Sequence, residues 1–260
     1  YDAIKRSLDT TPMYGLDFGF RNPSACVEVL YDGDSSFYIR SLIYKPILSM
    51  VSGLGDEMVK NGVRPFANLY HFDMPFKLQE IGGWESREVV KAYVNFATTC
   101  FKEFGDLVFH WFTFNEPLGP ILGSYLEDFH YPNIIDFKRG AQAAFNTILA
   151  HAMAVKSFKE LNLDSKIGVI LNLSPTYPRS QNKWDVEAAE IVDAFYTKSF
   201  LDPMVKGTFN EKLVSILKEY DQMPEYTEDD LKIISENTSQ ILGLNYYEPR
   251  RVKARLTEVN

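Results

Sequence analysis

The sequence predicts an α/β fold, in which a short antiparallel β-meander precedes a run of alternating strands and helices. Three observations predict it. From about residue 52, apolar runs of strand length alternate with segments of helical period. Before that point, Gly, Asp and Pro punctuate three alternating strands. The later strands, in turn, each run into polar residues at their C-terminal ends.

The meander is read in "MYGLDFG" (13–19), "ACVEVLYDG" (25–33) and "SSFYIRSLIY" (35–44). "GDEMVKNG" (55–62) reads as a helix end closed by Gly62, and "RPFANLYHF" (64–72) as a short strand running into His71. "ESREVVKAYVNFATTCFKEFG" (85–105) puts Val89, Tyr93, Phe96, Cys100 and Phe104 on one helical face. "LVFHWFTF" (107–114) is a strand of aromatic and β-branched residues, stopped by Pro117 and delivering Asn115 and Glu116 at its tip. In "DFKRGAQAAFNTILAHAMAVKSFKELN" (136–162), Phe137, Ala141, Ala144, Ile148, Val155 and Phe158 keep the helical period. "KIGVILN" (166–172) is a strand, "DVEAAEIVDAFYTKSF" (185–200) a helix, "TEDDLKIISEN" (227–237) a capped helix and "QILGLNYY" (240–247) a strand.

Four strands alternating with helices imply a parallel sheet with right-handed crossovers. His71, Asn115 with Glu116, Asn172, and Asn245 with Tyr247 all lie at strand C-termini. In a (β/α) barrel that rim carries the active site. A doubly wound sheet is disfavoured because no Gly-rich phosphate turn follows these strands. A carboxylate at an aromatic strand tip is costly to bury and tends to hold its proton, so Glu116 is the residue to explain.

Composition narrows the classes. The 260 residues are 45% hydrophobic with a net charge of −8, and no basic cluster suits a nucleic-acid partner. The two cysteines, Cys26 and Cys100, sit in apolar runs, neither a disulfide framework nor a metal-ligand spacing. No run reaches transmembrane length and no leader pattern opens the chain, so no membrane partner and a reducing cytoplasm are expected.

"LYHFDMP" (69–75), "GGWESREVVKAYVNFA" (82–97), "TFNEP" (113–117), "HAMAVKSFKE" (151–160), "IGVILNLSPTYP" (167–178) and "ILGLNYYEP" (241–249) resemble, in order and spacing, the family 1 glycoside hydrolases. That family includes β-glucosidases and 6-phospho-β-glucosidases. The resemblance runs from about residue 52 to 255 and implies strands three to six of a (β/α)8 TIM barrel. It implies a retaining, two-carboxylate hydrolysis of a β-glucoside or 6-phospho-β-glucoside without cofactor. Glu116 would be the general acid/base, Asn115 the partner of the sugar 2-hydroxyl, and His71 a donor to sugar hydroxyls. Tyr247 would steady the nucleophile, with Asn172 and Asn245 as supporting polar groups. Against these stand a structural ion pair for Glu116, a core histidine at 71, and strand-end capping for Asn172, Asn245 and Tyr247. His110, His130 and His151 are assigned to surface or packing, and Trp84 and Trp111 to the core.

The pattern departs from the family twice. The nucleophile's seventh-strand "TENG" motif has no counterpart, "SENT" (235–238) falling on a helix, and the family's first two strands, with an Arg-containing "RFSISW" type of motif, have none before residue 52. A chain so divided, residues 1–50 from 51–260, is expected to be catalytically incomplete alone, with open sheet edges for a complementing chain or a second copy. The opening stretch resembles instead the start of the nuclease domain of phage terminase large subunits, with Asp17 matching its first metal-binding aspartate. The other acids of a two-metal site have no counterpart, so no metal is assigned and Asp17 competes with an inert strand-end acid. A non-catalytic chimeric scaffold and a metal-dependent nuclease fragment are the alternative readings.

Overall fold

The computed structural model describes residues 13–17, 24–31, 37–45 and 55–255. It divides into two compact units, residues 1–66 with 106–109, and residues 67–105 with 110–260.

The first unit holds the meander. β1 (Met13–Asp17), β2 (Ser24–Tyr31) and β3 (Phe37–Lys45) pair antiparallel in that order, with a register slip in β2 between Cys26 and Val27. The short helix α1 (Gly55–Lys60) ends before Gly62, whose φ of 75° takes the chain out of the helix at little cost. Phe109 here meets Phe66 edge-on and lies under the Arg64 guanidinium.

The second unit is a partial (β/α)8 barrel. Its sheet has the order β4 (Phe66–Asn68), β5 (His110–Asn115), β6 (Lys166–Asn172), β8 (Ile241–Asn245), with β5, β6 and β8 parallel. A two-stranded ribbon of β7 (Thr176–Pro178) and β9 (Arg250–Val252) stands apart from it. Helices α2 (Phe76–Glu80) and α3 (Arg87–Phe104) lead from β4 to β5, and α4 (Leu118–Tyr125) and α5 (Phe137–Glu160) from β5 to β6. Between β6 and β8 run α6 (Lys183–Asp193), α7 (Ser199–Leu201), α8 (Glu211–Glu219) and α9 (Glu228–Glu236). Two π-helical turns, Ala194–Lys198 and Asp202–Lys206, flank α7.

The helix starts are chemically marked. Ser86, Asp136, Asn182 and Asn210 each accept a backbone N–H of the first turn, and Thr227 closes a reciprocal capping box with Asp230. The core lies where α3 and α5 cross the sheet. There Phe101 meets Trp111 and Phe158 edge-on at 5.1 and 5.2 Å, over fully buried Ile167 and Val169. One expectation is corrected in part: Val89 and Tyr93 are buried, but Phe96, Cys100 and Phe104 are not. The buried face of α3 is Val89, Val90, Tyr93, Ala97 and Phe101, while Phe96 is 49% exposed. Ala97 and Phe101, both fully buried, and the edge-on contact of Phe101 with Trp111 set that face.

Gly168 shows how tightly β6 and β8 approach, since a Cβ there would run into the Ile241 carbonyl. Gly168→Ala is therefore expected to cost ~1–3 kcal/mol of overpacking strain and to loosen β8 selectively. Urea unfolding with amide exchange would check it; an unchanged midpoint would mean the strands yield freely.

Candidate active site

Two strand ends are held in strained backbone. Phe72, just past β4, has a φ of 74°, and Glu116, just past β5, a φ of 45°. Such conformations cost ~1–3 kcal/mol each outside glycine and persist only where the surroundings impose them. At Glu116 the surroundings are visible. Its N–H donates to the Ile170 carbonyl at 2.8 Å, and its carbonyl accepts from Gly119 at 2.8 Å. One residue earlier, the Asn115 N–H donates to Tyr70. The β5–β6 register slips between Phe112 and Asn115, a bulge-like shift of the kind that re-aims a side chain beside a site.

The side chains then form one chain of hydrogen bonds. Asn115 Nδ2 lies 3.2 Å from His71 Nε2. Asn245 Nδ2 donates to Asn115 Oδ1 at 3.1 Å and to Glu116 Oε1 at 2.6 Å. The Tyr247 hydroxyl donates to the same Oε1 at 3.0 Å. That bond and the nearby carboxylate charge raise the phenol's pKa, because both hold its proton in place. Among the described residues Glu116 has no cationic partner. Glu85 provides the contrast, as a carboxylate gripped by Arg139 through both oxygens and by Tyr125 through one. The ion-pair alternative thus describes Glu85, whereas Glu116 is presented by neutral donors.

Of the sequence-predicted residues, His71, Asn115, Glu116, Asn245 and Tyr247 are joined in this chain. Asn172 lies level with Asn245 in register and half-buried, without a side-chain hydrogen bond to the other described residues. Tyr247, read by resemblance as steadying a nucleophile, bonds here to Glu116 itself. Asp17 closes β1 opposite Ala25, and the surroundings of its side chain lie outside the described part. Among the described residues no three His, Cys, Asp or Glu side chains gather in a metal-binding cluster. Phe72 was passed over in the sequence; it packs edge-on to His71 and to His130, at 4.9 and 5.7 Å. Trp84 and Trp111 are core residues, 7% and 2% exposed. No described helix is long and apolar enough to cross a membrane.

A carboxylate held by neutral donors at the C-terminal rim of a parallel β/α sheet lies on the face where barrel enzymes place their active sites. The chain belongs to glycosyl hydrolase family 1, whose model matches residues 46–260. It is 56% identical over 200 residues to the 6-phospho-beta-glucosidase GmuD of Bacillus subtilis, covering 77% of this chain and 43% of that one. It is 33% identical to a 6-phospho-beta-galactosidase of Clostridium acetobutylicum, over 98% of this chain and 54% of that one. The family 1 β-glucosidase structure from Thermotoga maritima superimposes with a TM-score of 0.71 at 34% identity, over 77% of this chain and 45% of that one. The chain thus spans about half the length of the relatives it matches.

Proposed function

We propose that this chain supplies the acid/base half of a retaining β-glycoside hydrolase acting on β-glucosides or their 6-phosphates. One observation carries the reading. Asn245 and Tyr247 both donate to Oε1 of Glu116, and no described residue donates to Oε2. An oxygen that already accepts two hydrogen bonds is a poor place for a proton, so the acid form carries it on Oε2. From there it passes to the glycosidic oxygen as the C1–O bond breaks, and a second carboxylate captures C1. Water later attacks C1, and Oε2 takes the water's proton back. Asn115, fixed between His71 and Asn245, is placed to bind a sugar hydroxyl beside the reacting bond.

The second carboxylate must stand about 5–5.5 Å from Glu116. In this reading it comes from the part of the barrel that would add strands beyond β8, in the same polypeptide or a complementing one. A cytoplasmic setting belongs to the reading too, supported by Cys100, a free thiol on α3 whose pKa burial raises, the mark of an unreactive packing cysteine.

The test is reconstitution. The chain is joined to, or co-expressed with, the remaining half of the Bacillus subtilis relative. It is then assayed on p-nitrophenyl β-glucoside and on its 6-phosphate. Hydrolysis of either supports the reading, and the preferred one identifies the substrate class. A folded, completed barrel inert on both would overturn it.

A further inference from the structure

Away from the rim, the helical layer holds a half-open apolar cavity of about 480 Å³. An apolar cavity of ~150 Å³ stays dry and takes up benzene, and this one is roughly three times larger. It falls in the range of sites for drug-sized molecules, ~300–1,000 Å³. Its walls come from α4, α5, the π-helical turn at 194–198, α8 and the approach to α9. Among the described residues no charged side chain lines it, and apart from backbone its polar groups are the hydroxyls of Tyr196, Ser199 and Tyr226. The Ser199 hydroxyl is already spent on the Phe195 carbonyl.

Two features separate this cavity from a packing fault. Its rings are braced against one another: Phe145 stacks on Phe209 at 5.8 Å and tilts on Tyr226 at 5.6 Å, and Phe137 meets Phe195 edge-on at 5.9 Å. Those contacts hold the rings in place around the space. Independently, Phe195 and Tyr196 reach the wall from a π-helical turn, a rare widening of the helix that is frequently found at functional sites.

We propose that this cavity binds a neutral, predominantly apolar small molecule, an aryl or terpenoid-sized compound with at most one or two hydroxyl or ether groups. Charge is excluded because nothing in the wall would compensate a buried ion. The tyrosine hydroxyls offer one polar anchor at the margin. The site is distinct from the glycosidic rim, so it stands or falls apart from the hydrolase reading.

The experiment uses the full chain and Nile red as the neutral probe, with 1-naphthol as competitor. Wild type is expected to bind the dye saturably at one site and release it to 1-naphthol. Ala144→Trp, filling the cavity from the middle of α5, should weaken binding roughly tenfold or more with the far-ultraviolet circular dichroism unchanged. Ala141→Phe, one turn away, serves the same purpose should the Trp variant unfold. Leu244→Glu, on an exposed sheet face, should leave binding unaltered. Contacts from 1-naphthol to the methyl groups of Leu118, Leu213 and Leu217 in the wild-type chain give a readout needing no variant. Equal binding by the filled variants, loss of binding in Leu244→Glu alone, or naphthol contacts elsewhere would each overturn the proposal.

Discussion

Glu116→Gln, introduced into the completed barrel, is expected to lower hydrolysis of glycosides with alkoxide leaving groups by ~10²–10⁴-fold, the usual worth of general acid–base assistance. An amide cannot pass a proton to the departing oxygen. A dinitrophenyl glycoside leaves without that proton, so its first step should survive. Water attack on the glycosyl intermediate still requires a base, so the intermediate should accumulate on the partner carboxylate. Azide, a nucleophile that needs no base, should then speed turnover and yield the β-glycosyl azide. Steady-state rates on both substrates, intact-protein mass and azide rescue check the three parts. Equal loss on both substrates with neither adduct nor rescue would make Glu116 a brace for the rim. The substitution also separates function from stability, because Gln keeps an acceptor for the Asn245 and Tyr247 bonds.

The second large effect is on folding. His151 is 1% exposed, its Nδ1 2.7 Å from the Thr113 hydroxyl and its Nε2 3.2 Å from that of Ser239. Its pKa is pushed down to about 4, chiefly by burial and further by the Lys159 charge, with the Met204 carbonyl opposing. The folded value lies below the unfolded one of about 6.5, so the folded chain resists protonation. The stabilisation is present in full above pH 6.5 and is lost as pH falls through 4. Two and a half pH units correspond to about 3 kcal/mol. His151→Gln, which stays neutral, is expected to be less stable at pH 7 because it fits the two hydroxyls less well. Its stability should also fall less steeply than wild type's between pH 6.5 and 4. Urea unfolding at pH 7, 5.5 and 4.2 measures both. Parallel pH dependences would assign the acid sensitivity to the carboxylates.

His151 also marks where reading the sequence stops. Surface or packing was all the pattern offered, since its partners lie 38 and 88 residues away and only the fold brings them together. The strands were legible where both faces are buried: β6 was read to the residue, because "KIGVILN" has no competing pattern. Helices with a polar cap were legible for the same local reason, Thr227 and Asp230 among them. α4 was not, because its Gly119, Pro120 and Gly123 argue against a helix and tertiary packing overrides them. The π-helical turns leave no compositional trace, and the strand at 64–72 was read too long, since β4 itself closes at Asn68. Of the rim, the residues could be placed from the sequence but not their order of bonding. That Asn245 and Tyr247 share one oxygen of Glu116 depends on a side-chain geometry spanning some 130 residues.

β8 is the outermost strand of the described sheet, with Leu242 and Leu244 43% and 59% exposed. The same strand carries Asn245, and the turn after it Tyr247. Both donors to Oε1 of Glu116 therefore come from one strand and the turn that follows it, so whatever steadies β8 also steadies the carboxylate. Single elements can open locally while the rest of a protein stays folded. Each such opening of β8 withdraws both donors from Oε1 at once. The share of time the carboxylate is aimed therefore follows the local stability of β8, and any neighbour that protects the β8 amides raises it without touching Glu116.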